Sequence, residues 1–84
     1  DPHVQVGLVA ADGGPVTWPL HISLMLAKEY AVTGQRIAAQ RAGELGLANH
    51  VAADPVAEAV ACAQRSVKLP QQAVESTKRV LNIH

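Results

Sequence analysis

Aromatic residues, cysteine and net charge are what this sequence has least of. Aromatic side chains make up 2% of the 84 residues, and the one cysteine, Cys62, has no partner for an internal disulfide. Seven basic residues balance seven acidic ones, so the chain lacks the long-range field that gathers nucleic acid or an anionic membrane. We therefore predict no nucleic-acid or membrane partner, and the lone cysteine favours a reducing, cytoplasmic setting.

Membrane-spanning and signal sequences are also missing. No apolar run approaches the roughly 18 residues that a membrane span requires, and the N-terminus lacks a basic segment followed by an apolar one. The first residue is Asp1 and the one methionine is Met25, so we expect a piece of a longer polypeptide. The hydrophobic residues, 49% of the chain, are mainly Ala, Val and Leu, which predict a thin core.

Two short segments have the pattern of strands. Apolar residues alternate with polar or small ones in HVQVGLV, at positions 3–9, and LANHVAA, at positions 47–53, is rich in apolar and β-branched residues. The first strand leads into a turn at Asp12-Gly13-Gly14. Neither strand has an evident partner, so we expect the rest of the sheet to lie outside this chain or in another chain.

Helix signals fill most of the remaining sequence. An apolar stripe at helical spacing begins at Leu20 and predicts a first helix that ends at Gly34. A second helix is predicted over 39–45 and ends at Gly46. Asp54 and Pro55 predict the start of a third helix, and a fourth follows over 71–82. Two regions result: 1–53, with the strands, turn and first helices, and the helical segment 54–84.

Three stretches carry a more specific pattern: DPHVQVGLVAADGG at 1–14, TGQRIAAQRAGELGLANHV at 33–51, and AVESTKRVLN at 73–82. Together they resemble the enoyl-CoA hydratase/isomerase (crotonase) superfamily over essentially the whole chain. The resemblance implies an α/β fold class, as the C-terminal portion of a crotonase-like ββα spiral that is mostly helical with two short strands. It also implies an acyl-CoA thioester substrate, a homotrimer or homohexamer, and no cofactor beyond the substrate's own coenzyme A.

Two residues are candidates for catalysis on this resemblance. Family members commonly have a catalytic glutamate directly after a proline, and here Pro2 is followed by His3, which can also transfer protons near neutral pH. Asp12 lies in the glycine-rich loop, where a carboxylate could stand beside the acyl group. The structural alternatives are a solvent-facing strand residue for His3 and a turn residue that caps the next helix for Asp12.

Two further residues are candidates for substrate binding. Trp18 could line an acyl pocket, although a lone tryptophan between apolar neighbours is often a core residue. Lys78, on the last helix, could approach the phosphates of coenzyme A, or it could lie on a solvated face. The histidines are too scattered for a metal site, so we predict no metal, and we interpret Cys62 as an inert buried thiol.

The leading functional prediction is a hydratase or isomerase that acts on a fatty acyl-CoA through a stabilised enolate. The resemblance places the backbone N–H donors for the enolate oxygen in family segments that precede this sequence, so we expect the 84 residues alone to be inactive. The alternative is a catalytically impaired helical assembly module of a crotonase-like oligomer.

Overall fold

The computed structural model describes residues 1–83, which form helices and turns. The α-helices are α1 (Gly13–Thr17), α2 (Leu24–Thr33), α3 (Ala39–Leu45), α4 (Pro55–Val67) and α5 (Gln71–Leu81). Two short 3₁₀-helices cover His3–Val6 and Trp18–Leu20. The chain divides into two compact units, Asp1–Val51 and Ala52–His84. None of the described helices is long and apolar enough to cross a membrane.

The two predicted strands, 3–9 and 47–53, are wrong, because residues 1–83 contain no strand. The described residues are mostly helical, where the sequence predicted a mixture of helices and strands. A strand must pair its backbone groups, and no other segment of the described chain offers it a partner. The first segment instead winds into a 3₁₀ turn. The His3 backbone N–H donates to Oδ1 of Asp1 at 3.0 Å, and Gly7 ends the turn at a φ of 77°.

Local signals for helix ends are confirmed. The helix α2 ends at Gly34, whose φ of 67° is a left-handed conformation that favours glycine. The helix α3 has the predicted bounds, and Oδ1 of Asp54 accepts from the Ala57 N–H at 3.1 Å at the start of α4. The last helix ends at Leu81, one residue before the predicted end.

The start of α2 was predicted four residues too early, at Leu20. That residue belongs to the 3₁₀-helix Trp18–Leu20, and Oγ of Ser23 then accepts a hydrogen bond from the Leu26 N–H at 3.2 Å. Serine in this position satisfies a backbone N–H that has no partner within the helix, so it fixes the first turn of α2.

The core of the first unit is small, as the composition predicted. Ile22, Ala27 and Tyr30 are buried, with 5–8% of their surfaces exposed, whereas Leu20 and Leu24 of the predicted stripe are exposed. The nearby Tyr30 side chain of this core, together with the Glu44 carboxylate, raises the pKa of Arg41 on α3.

The second unit is a pair of helices, α4 and α5, joined by a short turn. The Gln71 side-chain amide donates to the backbone oxygens of Ser66, at 3.1 Å, and Leu69, at 2.7 Å, and these bonds fix the turn. Val56, Val60 and Val67 on α4 are exposed, and the prediction of a buried thiol at Cys62 is wrong, because this residue of α4 is exposed as well. The described residues of this unit do not cover these side chains.

Candidate functional site

The structure brings the two catalytic candidates together. Nε2 of His3 lies 3.7 Å from Oδ2 of Asp12, so the two side chains are within ion-pair distance. The turn that ends at Gly7, followed by the loop 8–12, returns the chain to the start of the unit. The His3 side chain is 33% exposed and that of Asp12 is 72% exposed, so a small molecule can reach both.

A third residue of this site, Asp1, was missed in the sequence analysis. Oδ1 of Asp1 accepts from the His3 backbone N–H and also contacts Nδ1 of the same imidazole. The sequence contained a signal for it, because an aspartate two residues before a turn N–H commonly accepts from that N–H. Only 9% of the Asp1 side chain is exposed, so this carboxylate is far better shielded than that of Asp12.

The interpretation of Asp12 as a helix cap is wrong. Asp12 occupies the position before α1, but its side chain makes no capping hydrogen bond. A capping oxygen accepts from the second or third N–H of the helix. The third residue, Pro15, has no N–H, and Asp12 accepts no hydrogen bond from the second, Gly14. The first turn of α1 therefore leaves the Asp12 carboxylate available to face His3.

Trp18 lies beside the same cluster. A Cβ atom built on Gly14 would lie 3.3 Å from Oδ2 of Asp1 and 3.3 Å from Cε2 of Trp18. The half-buried indole and the Asp1 carboxylate therefore both approach the backbone of Gly14, where glycine leaves the room they need. This places Trp18 next to the site, and its contact with an acyl group stays a prediction.

Lys78 is not part of this cluster. It lies on α5 in the second unit, where its side chain borders an exposed, largely apolar groove. The groove is lined by Ser66, Leu69, Pro70, Ala73, Val74, Thr77, Lys78 and Leu81. The contact of Lys78 with a coenzyme A phosphate stays a prediction.

A metal ion fits the cluster poorly. Asp1, His3 and Asp12 offer possible ligand atoms within 4.8 Å of one another. However, the two carboxylates approach opposite nitrogens of one imidazole. An ion bound along the lone pair of either nitrogen would lie on the side away from one carboxylate, so all three residues could not bind it without rearrangement. The arrangement suits proton transfer better, with one ring nitrogen held and the other open.

Comparisons with known proteins agree with the sequence resemblance. No protein-family model matches the chain, and no curated protein matches it. Among solved structures, the chain is similar to an enoyl-CoA hydratase/isomerase from Mycobacterium paratuberculosis, with 84% identity and a TM-score of 0.95. The match covers the whole of this chain and 34% of that protein's chain. The 84% identity over the whole chain supports a C-terminal piece of the enoyl-CoA hydratase/isomerase (crotonase) superfamily.

Proposed function

We propose that the protein carrying this chain is an acyl-CoA hydratase or isomerase in which His3 transfers the proton. The observation that carries the proposal is the position of Nε2 of His3, which is partly exposed and lies 3.7 Å from Asp12. At that distance the nitrogen is beyond hydrogen-bond reach of the carboxylate, so it remains free for a substrate proton. The similarity to an enoyl-CoA hydratase/isomerase supplies the substrate class.

The proposed step is removal of a proton from an acyl carbon conjugated with the thioester. Nε2 of His3 accepts the proton, and the electron pair of the broken C–H bond moves into an enolate. In an isomerisation, the imidazolium returns the proton to the other end of the three-carbon unit, and the double bond moves without any other reactant. In a hydration, Nε2 instead accepts a proton from water as the hydroxyl bonds to the carbon β to the thioester. The electron pair of the double bond moves into the enolate, and a proton is then returned to the carbon α to the thioester.

Asp12 has a supporting part in this proposal. Its carboxylate stands 3.7 Å from the nitrogen that becomes positively charged, and opposite charges at that distance attract each other. The attraction is moderate, because the Asp12 side chain is largely exposed and water screens it. We therefore assign proton transfer to His3 and charge stabilisation to Asp12.

Substrate binding in this proposal involves the two other candidates. The Trp18 indole would form an apolar wall near the reacting carbon, because it lies against Gly14 beside the cluster. Lys78 would bind a phosphate of coenzyme A through its ammonium group. The reaction needs no cofactor beyond the coenzyme A of the substrate, and we propose a homo-oligomer as the working form.

Steady-state kinetics of the whole natural polypeptide test this function with enoyl-CoA substrates. General acid–base catalysis contributes about 10² to 10⁴ in rate, so His3→Ala should lower kcat by that factor and leave KM nearly unchanged. The matched control is His50→Ala, because His50 is an exposed histidine in the loop after α3. If His3→Ala keeps the wild-type kcat, the proton-transfer role is wrong and an assembly module is the better interpretation.

A further inference from the structure

A second inference concerns Asp1, and it rests on the proposed function. We propose that Asp1 is a positioning residue that holds the imidazole of His3 with its proton on Nδ1 and its free lone pair on Nε2. The contact that carries this inference is the pairing of Oδ1 of Asp1 with Nδ1 of His3, on the opposite side of the ring from Asp12.

The protonation pattern follows from the chemistry of the partners. An ionised carboxylate can only accept hydrogen bonds, so the nitrogen that it contacts must carry the proton. In a neutral imidazole the other nitrogen then has the lone pair. That nitrogen, Nε2, is 3.7 Å from Asp12 and is not tied up by a hydrogen bond from the described residues. The ring is therefore prepared to act as a base at Nε2 before any substrate binds.

The surroundings of Asp1 make it suitable for this role. Its side chain is 9% exposed, so water competes little for its oxygens and the interaction with the imidazole is screened weakly. The other oxygen, Oδ2, lies against the backbone of Gly14, since a Cβ there would approach it to 3.3 Å. A carboxylate packed in this way keeps one orientation, and it therefore also fixes the orientation of the ring.

Asp1 has a second, purely structural contact that must be separated from the first. The same Oδ1 accepts the His3 backbone N–H at 3.0 Å, which stabilises the start of the 3₁₀-helix His3–Val6. A variant that loses both contacts cannot distinguish ring positioning from turn formation. Serine in place of Asp1 separates them, because its hydroxyl can still accept the turn N–H but is too short to reach the imidazole.

The experiment compares Asp1→Ser and Asp1→Asn with the wild type, in the whole natural polypeptide. We expect Asp1→Ser to lower kcat by about 10- to 100-fold, as loss of the partner of a working histidine commonly does, with KM within about twofold of wild type. Asp1→Asn keeps an oxygen for both contacts and loses only the charge, so its decrease in kcat should be smaller. A thermal unfolding measurement on each variant checks that the turn is intact.

A spectroscopic measurement tests the same inference without the activity. The ¹⁵N shifts of the His3 ring should show the proton on Nδ1 in the wild type and no longer fixed there in Asp1→Ser. A wild-type ring with its proton on Nε2, or an Asp1→Ser variant with wild-type kcat, overturns the positioning role. If His3→Ala retains activity, the proposed function fails instead, and the ring shifts alone then decide whether Asp1 fixes the tautomer.

Discussion

Replacing Gly34 with alanine should destabilise the first unit through two separate effects. The residue has a φ of 67°, a conformation that costs an L-amino acid roughly 1–2 kcal/mol. A Cβ atom at this position would also lie 2.8 Å from Cγ and 2.9 Å from Cδ of Gln5, closer than Cβ atoms approach such neighbours. The Gln5 side chain would have to move away.

That movement removes a contact between the 3₁₀-helix His3–Val6 and the C-terminal end of α2. The Gln5 side-chain amide donates to the backbone oxygen of Gly34 at 3.1 Å, and a hydrogen bond of this kind contributes about 0.5–1.5 kcal/mol. The sum for Gly34→Ala is therefore roughly 1.5–3.5 kcal/mol of unfolding free energy.

A matched control separates the two effects. Gly7 has a φ of 77°, and a Cβ there would meet no atom within 4 Å, so Gly7→Ala should cost about 1–2 kcal/mol from the backbone alone. Urea unfolding of the whole natural polypeptide measures the loss of unfolding free energy in both variants. Gly34→Ala is also made in a Gln5→Ala background, in which the side chain that the new Cβ would meet is absent. Equal losses for Gly7→Ala and Gly34→Ala would refute the role of the Gln5 contact. A Gln5→Ala background that leaves the Gly34→Ala cost unchanged would refute it as well.

Three further outcomes can be measured. Gly14→Ala should lower kcat and leave KM nearly unchanged, because the new Cβ would lie 3.3 Å from Oδ2 of Asp1 and displace that carboxylate. A wild-type kcat in this variant would show that the Asp1 carboxylate is not tightly packed against residue 14. Lys78→Ala should raise KM for a coenzyme A thioester roughly three- to tenfold, and less at high salt, whereas the control variant Lys68→Ala should not change KM. With a truncated thioester that lacks the nucleotide, Lys78→Ala should have no effect, and an equal rise in KM there would assign Lys78 a structural role. The isolated 84-residue chain should self-associate in sedimentation, because most of its large apolar residues are exposed, and a cooperatively unfolding 8.8 kDa monomer would contradict this.

The parts of the fold that were predictable depend on residues close together in the sequence. Gly34 and Gly46 end helices because glycine adopts the left-handed conformation easily, and Asp54 with Pro55 begins one for equally local reasons. The alternating residues at 3–9 were misleading, because a strand depends on a partner elsewhere. The Asp1 carboxylate satisfies the His3 N–H locally, and a turn forms there instead.

The site was predictable in its residues but not in its geometry. Family resemblance indicated His3 and Asp12 separately, and only the folded loop shows that the two side chains face each other. Capping was the expected role of Asp12, and Pro15 was already visible in the sequence as a residue without an N–H to offer. Asp1 was missed because the family's catalytic pattern concerns the residue after the proline, although the spacing of Asp1 from His3 is typical of a local turn.

Hydrogen exchange at the acyl chain tests the central role of His3 most directly. The whole natural polypeptide is incubated with an enoyl-CoA in D₂O, and incorporation of deuterium at the carbons conjugated with the thioester is followed by NMR. If His3 carries the proton, the wild type and His50→Ala should exchange it at similar rates, and His3→Ala should be slower by about 10² to 10⁴. Exchange by His3→Ala at the wild-type rate would show that another group moves the proton, and it would contradict the assignment of His3.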